Sequence, residues 1–140
     1  MESSVQKIDA SNLDSNGQLR HGSYVSYFRN GETSTEGAHE HGQKVGAWKY
    51  FYKNGLLKAE GVYVEDSMQG EWTWYRENGA IMQVGSFEKG SRTGLWRRFR
   101  ENGKPLDDGH YAGDKKVGKW TAYDEMGRPE SSKVFELAEI

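Results

Sequence analysis

Glycine recurs in this sequence at a fixed spacing of 24 residues, and no insertion interrupts the spacing. A fixed period of roughly 20–50 residues is typical of repeat architectures, in which each unit buries its apolar face only against its neighbours. The spacing therefore predicts an array of similar units that binds other molecules rather than an enzyme. The three glycine columns are Gly22, Gly46, Gly70, Gly94 and Gly118; then Gly31, Gly55, Gly79, Gly103 and Gly127; then Gly37, Gly61, Gly85 and Gly109, with Lys133 in the last place.

Aromatic residues follow the same spacing, so the repeat places them. Two residues after the first glycine column stand Tyr24, Trp48, Trp72, Trp96 and Trp120, and five residues after it stand Tyr27, Phe51, Tyr75, Phe99 and Tyr123. Two residues after the third column stand His39, Tyr63, Phe87, Tyr111 and Phe135. Asparagine precedes the second glycine at Asn30, Asn54, Asn78 and Asn102, and Met126 takes the last place.

Each unit is predicted to be one β-hairpin, because Asn-Gly between aromatic-rich runs favours a type I′ turn. In the second unit the first strand is predicted over Gly46 to Lys53 and the second over Leu56 to Glu65. A polar link from Asp66 to Gln69 leads to the next hairpin. The predicted fold class is all-β: a single-layer extended antiparallel sheet of about five tandem 24-residue hairpins with terminal caps.

A two-residue Asn54-Gly55 turn also predicts the register of the hairpin. Trp48 then lies opposite Gly61, and the following hairpins pair Trp72 with Gly85 and Trp96 with Gly109. Each indole ring is expected to cover the glycine on its own partner strand, which explains a glycine in the strand interior. Structural roles are therefore predicted for Trp48, Trp72, Trp96, Trp120, Gly61, Gly85 and Gly109.

The chain is predicted to divide into caps and repeats. Residues 1–21 form an N-terminal cap, in which Val5 to Leu13 is expected to cover the first edge of the sheet as a short strand or helix. The repeats are 22–45, 46–69, 70–93, 94–117 and 118–140, and the last is truncated into a C-terminal cap where Val134 to Leu137 closes the sheet. The chain is expected to be a monomer or a dimer paired through sheet edges.

Composition excludes several other classes. Hydrophobic residues make up 34% of the chain, which suits a thin sheet better than a two-layer core. Cysteine is absent, so neither a disulfide framework nor a cysteine metal site is expected. The first twelve residues lack the apolar region of a secretory signal, and no stretch approaches the ~20 apolar residues of a membrane span. The predicted location is cytoplasmic, and the net charge of −2 does not favour nucleic acid.

Candidate catalytic or metal-binding residues are few. His39, Glu40 and His41, with His21 near them, could offer two ligands on one side of a strand, but a fourth ligand is missing and a polar hairpin end is favoured. The acidic pairs Glu65-Asp66 and Asp107-Asp108 are interpreted as solvated positions. No phosphate-binding glycine loop is present, because the glycines are spaced for hairpins. No catalytic residue, metal or cofactor is predicted.

The strongest candidate surface follows from the alternation of side chains along the first strand of each hairpin. Positions two, four and six residues after the first glycine share a face, and the last two of these vary between units. Tyrosine, tryptophan and arginine are enriched in binding hot spots. The predicted partner-binding residues are Tyr50, Tyr52, Trp74, Arg76, Arg98 and Arg100, supported by a basic cluster of Arg92, Arg97, Arg98 and Arg100. The alternatives are that Tyr50, Tyr52 and Trp74 only cover their own sheet, and that Arg98 and Arg100 belong to a solvated face.

The pattern Gly-x-Trp-x-x-Phe/Tyr-x-x-Asn-Gly followed by Gly-x-Tyr/Phe resembles the variant MORN repeat, as in Gly46 to Gly55 followed by Gly61 to Tyr63. The resemblance extends over residues 22–140. Small bacterial proteins built from this variant are similar to the YwqK-like antitoxin or immunity family, and that resemblance implies binding and neutralisation of a cognate toxin. Met126, Lys133 and His39 depart from the pattern in the outer repeats.

Three functional classes remain open from the sequence. The first is a protein-binding module, most concretely an antitoxin, which requires no cofactor. The second is a scaffold on a lipid surface, which would need clustered Lys and Arg. The third is nucleic-acid binding through aromatic and Arg side chains, which the acidic balance disfavours.

Overall fold

The structure, a computed structural model, describes residues 12–136. Ten strands follow one another along the chain, and each pairs antiparallel with the next, so that the sheet order equals the sequence order. This single open sheet confirms the predicted fold class. The strands are β1 Gly22–Tyr27, β2 Thr33–Glu40, β3 Gln43–Phe51, β4 Leu57–Val64, β5 Ser67–Tyr75, β6 Ile81–Glu88, β7 Ser91–Phe99, β8 Pro105–Ala112, β9 Lys115–Tyr123 and β10 Pro129–Phe135.

The sheet is one layer thick across residues 12–136, because every described strand belongs to it. On either face, side chains therefore pack against those of neighbouring units, because the described strands form no second layer. Within the described part of the chain, no helix is long and apolar enough to cross a membrane.

The Asn-Gly turns differ from the predicted type I′ geometry. At the second unit only Gly55 has a positive φ, of 87°, whereas a type I′ turn needs two such residues. The Gly55 amide donates to the Tyr52 carbonyl at 3.0 Å, and the Tyr52 amide donates to the Leu56 carbonyl at 2.8 Å. Asn54 contributes through its side chain, whose Oδ1 accepts the Leu56 amide at 2.9 Å. The loop is longer than predicted, and a bulge after Tyr50 restores the strand register.

The positive-φ two-residue turns lie between the units. Glu65 and Asp66 have φ values of 46° and 69°, and Val64 pairs directly with Ser67. The predicted link from Asp66 to Gln69 is therefore wrong, because the turn is only Glu65-Asp66 and the next strand begins at Ser67. Consequently the main-chain pairing continues across every unit boundary, and the hairpins form one continuous sheet.

The predicted register is confirmed, but the predicted ring position is wrong. Trp48 lies opposite Gly61 and Trp72 opposite Gly85, as expected. The ring that covers Gly61, however, is Trp72 of the following unit, and Gly85 likewise lies under Trp96. The reason is an irregularity in the pairing of β4 with β5, which falls at Gly61 and brings the next indole over that backbone.

The four tryptophans of the repeat are the most buried large side chains, with 1–8% of their surface exposed. Each indole N–H donates to a main-chain carbonyl; the Trp72 Nε1 donor lies 3.1 Å from the Val62 oxygen. The aromatic ring two residues after the covered glycine packs edge-on, as Tyr63 does against Trp72 with ring centroids 5.1 Å apart. Edge-to-face packing of this kind adds to the stabilisation from burial. The core is therefore a line of indoles separated by perpendicular rings.

The ends of the sheet are only partly described. Leu13 forms an isolated bridge to Leu19, and the Asn12 side-chain amide donates to the Gly42 carbonyl at 2.7 Å. The predicted cap segment Val5 to Leu13 lies outside the described residues except for its last two positions. At the other end β10 pairs with β9, and Leu137 lies outside the described residues.

Candidate interaction surface

The surface that carries the four tryptophans, here called the tryptophan face, has three rows of side chains. Residues directly opposite one another in antiparallel strands project to the same side, so the pairing assigns each row. The second row holds the tryptophans and the glycines beneath them. The first row is His39, Lys44, Tyr63, Met68, Phe87, Arg92, Tyr111, Lys116 and Phe135; the third row is Ser26, Thr35, Tyr50, Ala59, Trp74, Gln83, Arg98, Asp107, Ala122 and Ser131.

Three of the six predicted binding residues, Tyr50, Trp74 and Arg98, lie together in the third row. The half-buried Trp74 ring has its centroid 6.1 Å from Trp72 and 5.6 Å from Trp96. Ala59 stands between Tyr50 and Trp74 and is itself buried. The small alanine leaves space for the two large rings, whose outer surfaces stay accessible.

Tyr50 and Arg98, which lie two places from Trp74 on either side of it in this row, are held by polar contacts. The Tyr50 and Tyr63 hydroxyls are 2.9 Å apart, and burial, with this hydrogen bond, raises the pKa of Tyr50 above its usual range. The Arg98 guanidinium donates to both carboxylate oxygens of Asp107, and this bonding raises the pKa of Arg98. The row therefore presents two aromatic rings and one ion pair in fixed orientations.

The other three predicted binding residues do not share this row. Tyr52, Arg76 and Arg100 follow the ends of their strands and lie in the Asn-Gly turns. Each donates to a main-chain carbonyl 23 residues further on: Tyr52 to Tyr75 at 2.6 Å, Arg76 to Phe99 at 2.9 Å and Arg100 to Tyr123 at 2.8 Å. The strand alternation on which the prediction of a shared face with Trp74 rests ends before these residues, which lie beyond the last paired residue of each strand. Their contacts tie each hairpin tip to the next, while a role in partner binding stays a prediction.

The first row contains a column of cations that the sequence analysis missed. Arg20, Lys44, Arg92 and Lys116 occupy equivalent positions two residues before the first glycine, with Met68 in the middle place. The cationic groups lie over aromatic rings: Arg92 is 4.4 Å from the Tyr111 centroid, and Lys116 is 4.6 Å from that of Trp120. Contacts of this kind are favourable and orient the charge. The 24-residue spacing was the signal that could have identified this column.

Charge is distributed unequally between the two faces. The Lys and Arg side chains in the rows of the tryptophan face are Lys44, Arg92, Arg98, Lys116 and Lys133, whereas its carboxylate is Asp107. On the opposite face Lys49 lies between Glu36 and Glu60 of the two neighbouring strands, and Arg97 lies opposite Asp108. A chain with a net charge of −2 therefore carries one positive face.

This arrangement also separates the predicted arginine cluster. Arg92 and Arg98 lie on the tryptophan face, Arg97 lies on the opposite face, and Arg100 lies in a turn. Arg92 forms an ion pair with Asp114, with Nε 3.0 Å from Oδ1. The positive character of the tryptophan face thus comes from residues on β3, β7, β9 and β10 rather than from one run of arginines.

The histidines near the first unit do not form a metal site. His39 is buried in the first row between the rings of Tyr24 and Trp48, whereas His41 lies exposed in a turn with its ring 5.5 Å from that of His21. Across residues 12–136, no three His, Cys, Asp or Glu side chains gather into a group that could hold a metal ion.

His39 is expected to make the stability of the protein depend on pH. Burial lowers the pKa of His39 below 6.5, the positive charges of Arg20 and Lys44 lower it further, and Asp66 opposes them. The unfolded chain then binds a proton more readily than the folded chain below about pH 6.5, so acid favours unfolding. We expect the free energy of unfolding to fall as the pH is lowered from 7 to 5, measured by urea denaturation.

The matched control is His39→Tyr, which installs the residue found at the equivalent Tyr63 and Tyr111 positions. This variant keeps every other titratable group, so the difference between the two pH profiles isolates His39. Parallel profiles for the two proteins would contradict a lowered pKa at His39.

Three segments of the chain match the family described as the MORN repeat variant: residues 44–65, 68–89 and 92–112. Each matched segment contains one hairpin, formed by β3 with β4, β5 with β6 and β7 with β8. Repeats of this family indicate a binding module built from repeats, and the family is generally non-catalytic. The comparison with curated proteins gave no match, so the finer resemblance to an antitoxin family has no relative to support it.

Among solved structures, a mutant of S. aureus TarM in complex with fondaparinux, alpha-GlcNAc-glycerol and UDP matches with a TM-score of 0.43 and 10% identity. The match covers 69% of this chain, and it spans only 19% of the TarM chain. A likeness this slight carries no argument about function.

Proposed function

We propose that this chain is a non-catalytic module that binds a protein partner through the tryptophan face. The observation that carries the proposal is the third row, where Trp74 is held against Trp72 and Trp96 yet keeps part of its ring accessible. A large aromatic ring with a fixed orientation loses little conformational entropy on binding. Tryptophan, tyrosine and arginine are also the residues that most often dominate binding energy at interfaces.

The shape of the sheet supports this function. One open layer gives a broad surface, and the continuous main-chain pairing from β1 to β10 keeps that surface ordered before a partner arrives. Within that surface, the half-buried rings of Tyr50 and Trp74 are the aromatic area that a partner can contact.

For the identity of the partner, we propose a toxin that the chain neutralises in the cytoplasm of a bacterial cell. The support is the resemblance of the repeat pattern to the YwqK-like antitoxin family, together with a preformed surface that needs no cofactor. Neutralisation requires only that binding blocks the active region of the toxin. A wide, rigid sheet supplies the area for such blocking without a large ordering cost.

The experiment is affinity capture of the tagged chain from its native extract. The bound proteins are identified by mass spectrometry, and the complex is then formed again from the purified partner and the purified chain. We expect one partner in one-to-one stoichiometry, lost in Trp74→Ala. For the toxin proposal, expression of that partner alone should stop cell growth, and co-expression of this chain should restore it.

Tyr27→Ala is the matched control, because Tyr27 is an exposed aromatic residue on β1, far from Trp74 in the sheet. Loss of the partner in Trp74→Ala alone supports binding through the third row. Equal loss in both variants, or capture of no protein by the wild-type chain, contradicts it. A captured partner that is harmless to cells contradicts only the toxin assignment.

A lipid surface is the second candidate, favoured by the line of Lys44, Arg92 and Lys116 along the first row. Clustered cations attract anionic headgroups, at about 1 kcal/mol for each Lys or Arg near the membrane. Co-sedimentation with vesicles containing phosphatidylserine tests this candidate. Binding to such vesicles but not to neutral ones, without any protein partner, would favour it.

A further inference from the structure

A depression of about 270 Å³ lies on the tryptophan face between β7 and β9. The aromatic rings that line it are those of Trp96, Tyr111 and Trp120, and the two indoles form its floor. The two indoles of the floor are buried and lie flat over glycines, whereas the side chains of the first and third rows stand on either side. The depression is therefore a short trough with polar walls and a narrow aromatic floor.

Three cations line this trough. Arg92 and Lys116 border it in the first row, and Arg98 borders it in the third. Two carboxylates partly balance them, since Arg92 pairs with Asp114 in a turn and Arg98 pairs with Asp107. The structure pairs Lys116 with no carboxylate in the described residues; its ammonium lies over the Trp120 and Phe135 rings. The trough thus has an excess of positive charge above an apolar surface.

A second depression continues the first toward the last strand. It shares Lys116, Trp120 and Asp107 with the first and adds Lys133 of β10. Lys133 stands where the repeat has glycine in the other units, and it lies opposite Trp120. The positive, aromatic strip therefore extends from β7 to β10, a width of about 14 Å at the usual spacing of strands.

Resting on the protein-binding function proposed above, we infer that this strip, the trough with its continuation, binds an acidic segment of the partner in which carboxylate and apolar side chains alternate. Carboxylates meet Lys116, Lys133 and the outer edges of Arg92 and Arg98, and apolar side chains lie on the indole floor. Charge-assisted hydrogen bonds to Lys and Arg are stronger than neutral ones.

Two features favour a polypeptide over other anions. Asp107 lies inside the trough, where its oxygens can accept hydrogen bonds from the main-chain N–H groups of a peptide, donors that a phosphodiester lacks. The net charge of −2 opposes the extended phosphate backbone of a nucleic acid more than a short peptide, because the nucleic acid carries more negative charges. A flat membrane surface would also meet the standing side chains of both rows before it reached the floor.

The test measures fluorescence anisotropy of a labelled short peptide of alternating Glu and Leu with the full chain at about 0.15 M salt, where long-range charge effects are screened. We expect saturable binding that is weakened at least about tenfold by Lys116→Glu, since a cation at the binding surface becomes a repelling charge. A peptide of alternating Lys and Leu should not bind.

Lys119→Glu is the matched control, because Lys119 lies exposed on the same strand, three residues away and on the opposite face. It makes the same change in net charge and should leave peptide binding unchanged. Circular dichroism of both variants checks that each keeps the sheet.

The inference is supported by loss of peptide binding in Lys116→Glu alone. It is overturned by equal loss in the two variants, which would show a general charge effect, or by the absence of binding to the wild-type chain. Tighter binding of oligothymidine or of phosphatidylserine vesicles, lost in Lys116→Glu, would also overturn it. Capture of a protein partner without peptide binding would leave the proposed function intact and reject only this inference.

Discussion

Replacing Gly85 by alanine is expected to lower the free energy of unfolding by about 3 kcal/mol or more, the upper part of the range for overpacking. A Cβ at this position would overlap Cδ2, Cε2 and Cε3 of Trp96. The indole cannot move away readily, because its N–H is bonded to the carbonyls of Ser86 and Thr93 at 3.1 and 3.2 Å. Guanidinium denaturation followed by circular dichroism measures the loss.

A double-mutant cycle shows which ring lies over Gly85. In a Trp96→Ala background the added methyl has space, so Gly85→Ala should then cost less than about 1 kcal/mol. In a Trp72→Ala background, which removes the residue directly opposite Gly85, the cost should persist. The reverse result would show that Trp72 of the same hairpin covers Gly85, and it would contradict the structure.

Truncation of Trp72 is expected to have the largest effect of any single tryptophan in the chain. Trp72 is 1% exposed and lies in the middle of the indole line, with Tyr63 packed edge-on against it. We expect Trp72→Ala to cost about 4 kcal/mol, within the range for removing a large buried aromatic side chain. The measurement is equilibrium unfolding in guanidinium, with the denaturant slope compared between variants.

Trp74→Ala is the matched comparison, since Trp74 is the same residue type two positions along the same strand. Part of its ring already faces solvent, so we expect a loss of about 1–2 kcal/mol, consistent with a smaller buried area. Equal losses for the two variants would make Trp74 a core residue and remove it from the proposed binding surface. A folded Trp74→Ala protein that fails to bind its partner gives the opposite result.

The candidate site was predictable where strand alternation applies. Trp74 and Arg98 stand in the third row, as the alternation of their strands indicates. The same reasoning does not extend to Arg76 and Arg100, because the chain has already left the strand and entered a turn at those positions. Turn geometry depends on local hydrogen bonds, such as that from Leu56 to Asn54, which a two-residue period does not describe.

The column of first-row cations could not be placed from the sequence, for a different reason. Its spacing is visible in the sequence, but its position relative to the aromatic column is not. Arg92 lies opposite Phe87, and Lys116 opposite Tyr111, only because a two-residue turn joins each pair of units. The link predicted from the sequence is longer than this turn, and a longer link does not bring these side chains to one face.

By itself the sequence determined the all-β class, the repeat length and the pairing within each hairpin, because evenly spaced glycine and tryptophan columns permit few other registers. The tertiary structure alone decided which tryptophan covers which glycine. An irregularity at Gly61 brings the indole of the next unit onto that backbone, so the glycine is required by the following strand pair. The presence of Lys133 at the last glycine position is consistent with this explanation. Lys133 lies opposite Trp120 on β10, and no later strand within residues 12–136 places an indole over it, so a side chain has space there.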